Sequence, residues 1–383
     1  MKIHLGDIVD SIQTGPFGSQ LHRSDYTLTG TPVIMPQDIV NWRLSTDKIV
    51  FVDDYTVERL SRHKVSYNDI IYPRRGDISK CAIIGKNEEN WLCGTGCLKI
   101  TINPDKANPK YVFYFLQQNK IGKWIEQHAT GATMLNINSS TLYNLPLNLP
   151  ELAIQNRVIE VLSAYDDMID NCKRQIVLLE EAAQRLYREW FSEFSPNSML
   201  SDLAEDVGKS EIKSHRTSYE CYTPIDCLPK KSLAYITPKD ISLAESSLKS
   251  YKPKDILFGA MRVYFHKVCI AQENGLTRST CIVINAINKG YWSYLTMLMF
   301  SDETIAWATA NSKEGTTMPY ISWEKLKYMP IYLPDEEVAK RFNVIVEPYL
   351  SKIIVLAKYI RNLVEIKNIL LSRLISGQIE INA

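Results

Sequence analysis

The sequence predicts an α+β chain: two pseudo-repeated domains of mixed α/β structure joined by two long antiparallel coiled-coil helices. Three observations predict it. A heptapeptide motif at Gly131 recurs 184 residues later, a second echo lies upstream of each copy, and each copy leads into an apolar ladder at 3.5-residue spacing.

The repeat is read from Gly131-Ala132-Thr133-Met134-Leu135-Asn136-Ile137 against Gly315-Thr316-Thr317-Met318-Pro319-Tyr320-Ile321. At the same offset Leu142 meets Leu326, Pro146 meets Pro330, Leu149-Pro150 meets Leu333-Pro334, Arg157 meets Arg341 and Tyr165 meets Tyr349. Upstream, Asn68-Asp69-Ile70-Ile71 matches Lys254-Asp255-Ile256-Leu257, and Leu5-Gly6-Asp7-Ile8-Val9 resembles Leu203-Ala204-Glu205-Asp206-Val207. Between these anchors the halves differ in length and sequence, so the scaffold is repeated while the interior is not. β-rich runs such as Lys48-Ile49-Val50-Phe51-Val52, Cys97-Leu98-Lys99-Ile100-Thr101-Ile102 and Arg278-Ser279-Thr280-Cys281-Ile282-Val283-Ile284 alternate with Gly, Pro and Asn turns. Helices are expected over 109–118 and 290–300. The chain divides into a mixed domain over 1–150, a long helix over 151–194, a second mixed domain over 195–334 and a second long helix over 335–383.

The first helical ladder is Val158, Leu162, Tyr165, Ile169, Cys172, Ile176, Leu179, Ala183, Leu186 and Trp190; the second is Phe342, Val346, Tyr349, Ile353, Leu356, Ile360, Leu363, Lys367, Leu370 and Leu374. Such spacing is that of a coiled-coil seam, with Lys367 the one rung whose head must snorkel. Pro150-Glu151 and Pro334-Asp335-Glu336-Glu337 place proline and acids at the helix starts, as the macrodipole favours. Pro348 is expected to bend or reset the first turns of the second helix. About 36 helical residues span roughly 54 Å, more than a domain of this size, which favours a paired rod over two core helices of one globular domain. Connectivity then makes the pair antiparallel, with one mixed domain at each end. Ile159, Val161, Met168, Val177, Leu178, Phe191, Ile345, Ile354, Val355, Ile366, Leu371 and Ile375 lie off the seam. They call for cover by the mixed domains or by a docked protein.

With 383 residues and 45% hydrophobic content the chain can bury sizeable cores, and its net charge of +1 gives no global basic excess for nucleic acid. No apolar run reaches the roughly 20 residues of a membrane span, and the opening residues lack the apolar centre of a signal peptide, so a cytoplasmic location is expected. Eight scattered cysteines fit no zinc tetrad and are expected reduced and mostly buried. No P-loop, dinucleotide fingerprint, amino-methyltransferase tetrapeptide or His-Glu-x-x-His pair occurs. The pairs Asp53-Asp54 and Asp166-Asp167 read as solvated acids. The chain is therefore expected to carry no catalytic residues and no metal.

The order of these pieces resembles the specificity subunit of Type I restriction–modification systems. Leu5-Gly6-Asp7 followed by Gly15-Pro16-Phe17-Gly18-Ser19 is similar to the start of that family's first target-recognition domain. Gly30-Thr31-Pro32-Val33-Ile34 with Asp38-Ile39, Asp69-Ile70-Ile71 with Arg74-Arg75-Gly76, and Gly131-Ala132-Thr133 with Leu149-Pro150 fit the same pattern. The second copy departs from it: Phe258-Gly259-Ala260-Met261-Arg262 replaces the arginine-rich turn, and no Gly-Pro-Phe-Gly-Ser follows its start. The resemblance implies that each domain reads one half of a bipartite, asymmetric site in double-stranded DNA. The paired helices would set the gap and dock two methyltransferase subunits, which motor-nuclease subunits join. It implies no cofactor on this chain, with S-adenosylmethionine, ATP and Mg in the partners. A coiled-coil adaptor without DNA readout, or a stand-alone methyltransferase or nuclease, are the alternatives.

Arginine suits guanine, Gln and Asn suit adenine, and Ser or Thr suit phosphate. On that chemistry the DNA-contact candidates of the first domain are Ser19, Gln20, Arg23, Gln37, Arg74, Arg75, Ser79, Lys80, Thr133 and Asn136. Those of the second are Lys239, Arg262, Tyr264, His266, Lys267, Thr316, Thr317 and Tyr320. Arg74-Arg75 could instead be a solvated loop paired with nearby acids, and Gly131-Ala132-Thr133-Met134 a turn that both copies need structurally.

Overall fold

The computed structural model describes residues 2–131, 135–312 and 318–379. Thr133, Thr316 and Thr317 lie outside them. The chain forms two compact units, one of residues 1–164 with 367–383 and the other of residues 165–366.

In the first unit Val9–Thr14, Cys97–Ile102, Ile70–Pro73 and Ala82–Ile83 lie side by side in that order as an antiparallel sheet. In the second unit Ala204–Asp206, Cys281–Ala286, Ile256–Gly259 and Val268–Ile270 repeat the same order and sense. The central strands Ile70–Pro73 and Ile256–Gly259 are buried along their whole length, which explains their unbroken apolar character. The expected helices form over Pro109–Leu116 and Trp292–Met299.

A buried aspartate anchors each copy. Asp69 accepts from Ser66 N (2.8 Å) and Thr101 Oγ1 (2.7 Å); Asp255 accepts from Lys252 N (2.7 Å) and Asn285 Nδ2 (2.7 Å). A carboxylate taken out of water needs such partners, so the Asn68-Asp69 and Lys254-Asp255 echo has a structural cause. Burial still pushes the Asp255 carboxyl up, against those hydrogen bonds.

The opening echo is displaced. His4 N donates to Asp7 Oδ2 (2.8 Å) and Leu5 N to Leu145 O (2.8 Å); in the second unit Met199 N donates to Asp202 Oδ2 (3.1 Å) and Leu200 N to Met329 O (2.9 Å). Leu5 and Asp7 thus correspond to Leu200 and Asp202, not to Leu203 and Glu205. An acid three residues into the turn caps the preceding extended amide, and the similarity at Leu203 was only compositional.

The second sheets differ. Leu92–Cys93 pairs in parallel with Thr31–Ile34, and Val50–Val52 joins the latter. Cys221–Tyr222 pairs in parallel with Gly275–Arg278, and here Leu248–Tyr251 joins Gly275–Arg278. The variable interior therefore differs in strand order as well as in sequence.

The two long helices are Leu152–Phe191 and Glu336–Ile375, 40 residues each. In the first unit Val158 and Leu162 share a core with Leu374 and Ile375. In the second, Phe191 and Trp190 meet Phe342 at ring-centroid distances of 5.0 and 5.5 Å. The start of one helix meets the end of the other in each unit, so the pair is antiparallel. Leu162, Ile169, Ile176, Val346, Ile353, Ile360 and Leu363 are buried, and Leu179, Leu186 and Leu370 pack partly buried against these cores. Leu350 and Ala357, one residue beyond the rungs Tyr349 and Leu356, are also fully buried, so the seam of the second helix is wider than a strict heptad. That helix continues through Pro348, which is exposed. Of the off-seam residues, Ile159, Phe191 and Ile375 are buried, whereas Val161, Met168, Val177, Leu178, Ile345, Val355 and Ile366 stay exposed.

Glu180 breaks the apolar pattern of the first helix. Its Oε1 accepts from Ser232 Oγ (2.8 Å) and Leu233 N (2.7 Å), and it is buried. Burial pushes its carboxyl up to about 7 despite those donors. A folded-state value above the unfolded one stabilises fully below the unfolded value and is lost as pH rises through about 7. Thermal unfolding should therefore show stability falling from pH 5 to 8 by up to roughly 2–3 kcal/mol relative to Glu180→Gln. A difference between the two proteins that does not change with pH would remove this carboxyl as the cause.

Candidate nucleic-acid interface

Arg74 and Asn136 lie on turns bonded to one another at one end of the first unit's strands. Gly15 N donates to Cys97 O (2.9 Å), Gly94 N to Ile34 O (2.9 Å), and Arg74 N to Gly96 O (2.6 Å). Ile137 N donates to Arg74 O (3.1 Å), while Thr130 and Asn136 exchange two backbone bonds of 2.8 Å. A Cβ on Gly15 would lie 2.1 Å from Gly94 O, so only glycine lets these turns meet.

Of the first-unit candidates, Ser19, Arg23, Gln37 and Arg75 are exposed. The Arg75 backbone forms an isolated β-bridge with that of Asn136, and Arg74 Nε lies 3.5 Å from Asn136 Oδ1. The guanidinium of Arg74 thus lies beside the asparagine amide, with the exposed Arg75 next in the chain, residue types able to address both purines. Gln20 is spent internally: its Oε1 accepts from Phe17 N (3.1 Å) and its carbonyl from Arg59 Nη1 (2.5 Å). Ser79 and Lys80 are tied to Asp77, through Ser79 Oγ (2.5 Å) and Lys80 Nζ (2.9 Å), and these donors hold the Asp77 carboxyl below its usual range.

The second unit builds the same junction from other residues. Ala260 N donates to Thr280 O (2.9 Å), Ile321 N to Ala260 O (3.0 Å), and Met261 bridges to Tyr320. Ala260, Met261 and Tyr320 therefore stand where Arg74, Arg75 and Asn136 stand in the first. Arg262 follows in the left-handed region (φ 51°), matching Gly76 (φ 81°). The sequence already set Phe258–Arg262 in the place of the arginine-rich turn, although no glycine marks its left-handed position. Met261, named in that segment, was not among the DNA-contact candidates; it lies 186 residues on from Arg75, the offset of the Asp69 echo.

Three second-unit candidates are not free loop residues. His266 is buried, and its Nε2 faces Phe300 O at 3.0 Å, which can only accept, so that nitrogen carries the proton. Burial first, against Phe300 and Asp302, lowers its ring below the usual range. Placing it among DNA contacts is corrected accordingly: a buried ring has no path to a base. Lys239 is ion-paired with Asp226, and Lys267 Nζ donates to Ile225 O (2.8 Å). Arg262 and Tyr320 are half-buried and Tyr264 is exposed. All eight cysteines are free thiols, and seven are buried. Among the described residues no helix is long and apolar enough to cross a membrane.

Residues 1–181 match the family model described as Type I restriction modification DNA specificity domain. Over 388 aligned residues the chain is 21% identical to the Type I restriction enzyme MjaIX specificity subunit of Methanocaldococcus jannaschii, covering 91% of this chain and 87% of that protein. It is 23% identical over 139 residues to the Type I restriction enzyme HindI specificity subunit of Haemophilus influenzae, 36% of this chain and 30% of that one. The fold matches the crystal structure of the Type-I restriction-modification system S subunit from M. genitalium, with TM-score 0.62, 15% identity, and coverage of 98% of this chain and 95% of that one.

Proposed function

We propose that the chain is a specificity subunit of the Type I restriction–modification kind, to which residues 1–181 and the aligned relatives are similar, and that it reads a bipartite, asymmetric DNA site, one half per mixed domain. The mixed domains are those of residues 1–150 and 195–334. One observation carries the reading: a single junction is built twice on the same strand order, once with Arg74, Arg75 and Asn136 and once with Ala260, Met261 and Tyr320. A repeated frame with different residues at its reading edge is what two unlike half-sites require. The exposed apolar residues of the long helices, Val177, Leu178 and Val355 among them, would seat two methyltransferase subunits. Catalysis, with S-adenosylmethionine, ATP and Mg, is assigned to those partners and to motor-nuclease subunits, in the cytoplasm.

The test is methylome sequencing of cells that express the chain with its methyltransferase partner. A bipartite methylated motif should appear only with this chain, and Arg75→Ala should relax one half of it by roughly 10-fold while leaving the other intact. Equal relaxation of both halves would defeat the two-reader assignment. A complex that forms without any motif would favour the adaptor reading, to which the net charge of +1 is better suited.

A further inference from the structure

The loop that stands where the arginine loop of the first unit stands is held in an unusual way. Arg262 and His266 both have φ of 51°, a left-handed backbone that side-chain-bearing residues keep only where their surroundings fix it. Here they do: Arg262 N donates to Pro319 O (2.8 Å), Phe265 N to Arg262 O (2.9 Å) and Lys231 N to His266 O (2.8 Å). Val263 is buried, and the buried His266 ring rests on Phe300 O and lies 3.3 Å from Asp302 Oδ1. Between the two left-handed residues Tyr264 projects, its side chain 51% exposed. Its ring leans on Phe265 (centroids 4.8 Å apart), which in turn carries Lys230 Nζ at 4.8 Å.

The acids near this loop are committed elsewhere: Asp226 to Lys239, and Asp302 to Lys231 (3.5 Å). Lys230 and Arg262 face no carboxylate among the described residues, and Arg262 Nε is buried with no hydrogen-bond partner there. The loop therefore offers positive charge beside a large aromatic ring fixed outside the core. Cations serve phosphate. A ring adds little to that, but meets the apolar edges of bases, the thymine methyl above all.

We propose that Tyr264 is a specificity-determining residue of the second half-site, touching base edges through its ring and not through its hydroxyl. This rests on the DNA-reading function proposed above. It makes the two readers chemically unlike: a guanidinium–amide set in the first unit and an aromatic tip in the second.

The full complex with its methyltransferase partner is the material, and the methylated motif with duplex binding to motif variants is the readout. Tyr264→Ala should lower discrimination at one or two base pairs of one half-site by roughly 10-fold and leave the half governed by Arg75 unchanged. Tyr264→Phe, which keeps the ring and the packing on Phe265, should retain the parent motif. The unaffected half-site reports that the variant is folded and assembled. An unchanged motif in Tyr264→Ala overturns the proposal alone, as does relaxation by Tyr264→Phe equal to that of Ala. Absence of any bipartite motif in the unmodified complex removes the DNA-reading function and this proposal together.

Discussion

Arg361→Ala should destabilise the second unit by about 3 kcal/mol, among the larger losses open to a single polar side chain. Arg361 is on the second long helix, and its guanidinium closes a network at the sheet. Nη1 bonds Glu273 Oε1 (3.0 Å), Nη2 bonds Gln272 Oε1 (2.9 Å), and Nε reaches Ile236 O (3.3 Å). The Glu273 side chain is only 6% exposed and also receives Cys221 Sγ (3.3 Å) and Tyr235 Oη (3.4 Å). Taking away the arginine leaves that carboxylate buried without its charge partner, which costs more than the pair itself contributes. Lys358 Nζ, 3.9 Å from Glu273 Oε2, is too exposed and too compact to replace a planar fork. Arg361→Lys should therefore recover only part of the loss. Arg361→Met combined with Glu273→Gln should be more stable than Arg361→Ala, because no buried charge is stranded. Urea unfolding of the four proteins makes the comparison. A cost below about 1 kcal/mol for Arg361→Ala would mean that the fork is a surface pair and does not tie helix to sheet.

That network also marks where reading the sequence ends. The helices were legible because a 3.5-residue apolar period survives any context, and the first sheet because Asp69 and Asp255 recur with the strands they anchor. Arg361, by contrast, sits beside the rung Ile360 and looks like any solvated coiled-coil flank. Gln272-Glu273-Asn274 looks like a polar turn. Only the fold brings them within 3 Å. The second sheets escaped for another reason. Strands as short as Leu92–Cys93 or Cys221–Tyr222 carry no period, and their partners are fixed by register and not by composition. The candidate site divides in the same way. Arg74 and Arg75 were legible from the arginine turn and Asn136 from the repeated motif, but only the fold brings them to one junction. Arg262 takes up a backbone conformation for which the sequence offers no glycine, and His266 reads as a basic loop residue until the Phe300 carbonyl claims its ring.

Phe342→Ala should cost the second unit about 3–5 kcal/mol, the range for emptying a fully buried aromatic site. The Phe342 side chain is 0% exposed, and its ring meets those of Phe191 (5.0 Å, 70°) and Trp190 (5.5 Å, 62°) edge to face. Phe191 in turn meets Tyr294 (4.9 Å, 75°), so the cavity would open at the point where both long helices and a helix of the mixed domain share one aromatic cluster. Phe191, held by the rings of Trp190 and Tyr294, cannot readily collapse into the gap, which places the cost in the upper part of that range. Phe342→Leu, keeping most of the volume, should cost nearer 1.5 kcal/mol. The informative contrast is Val355→Ala on the same helix. Val355 is 57% exposed, so its loss should leave stability within about 0.5 kcal/mol. Denaturant unfolding of the isolated full chain separates the cases. If Val355→Ala proved as costly as Phe342→Ala, the outer face of the helix would already be packed within this chain, and its apolar residues would not be free to seat a methyltransferase subunit.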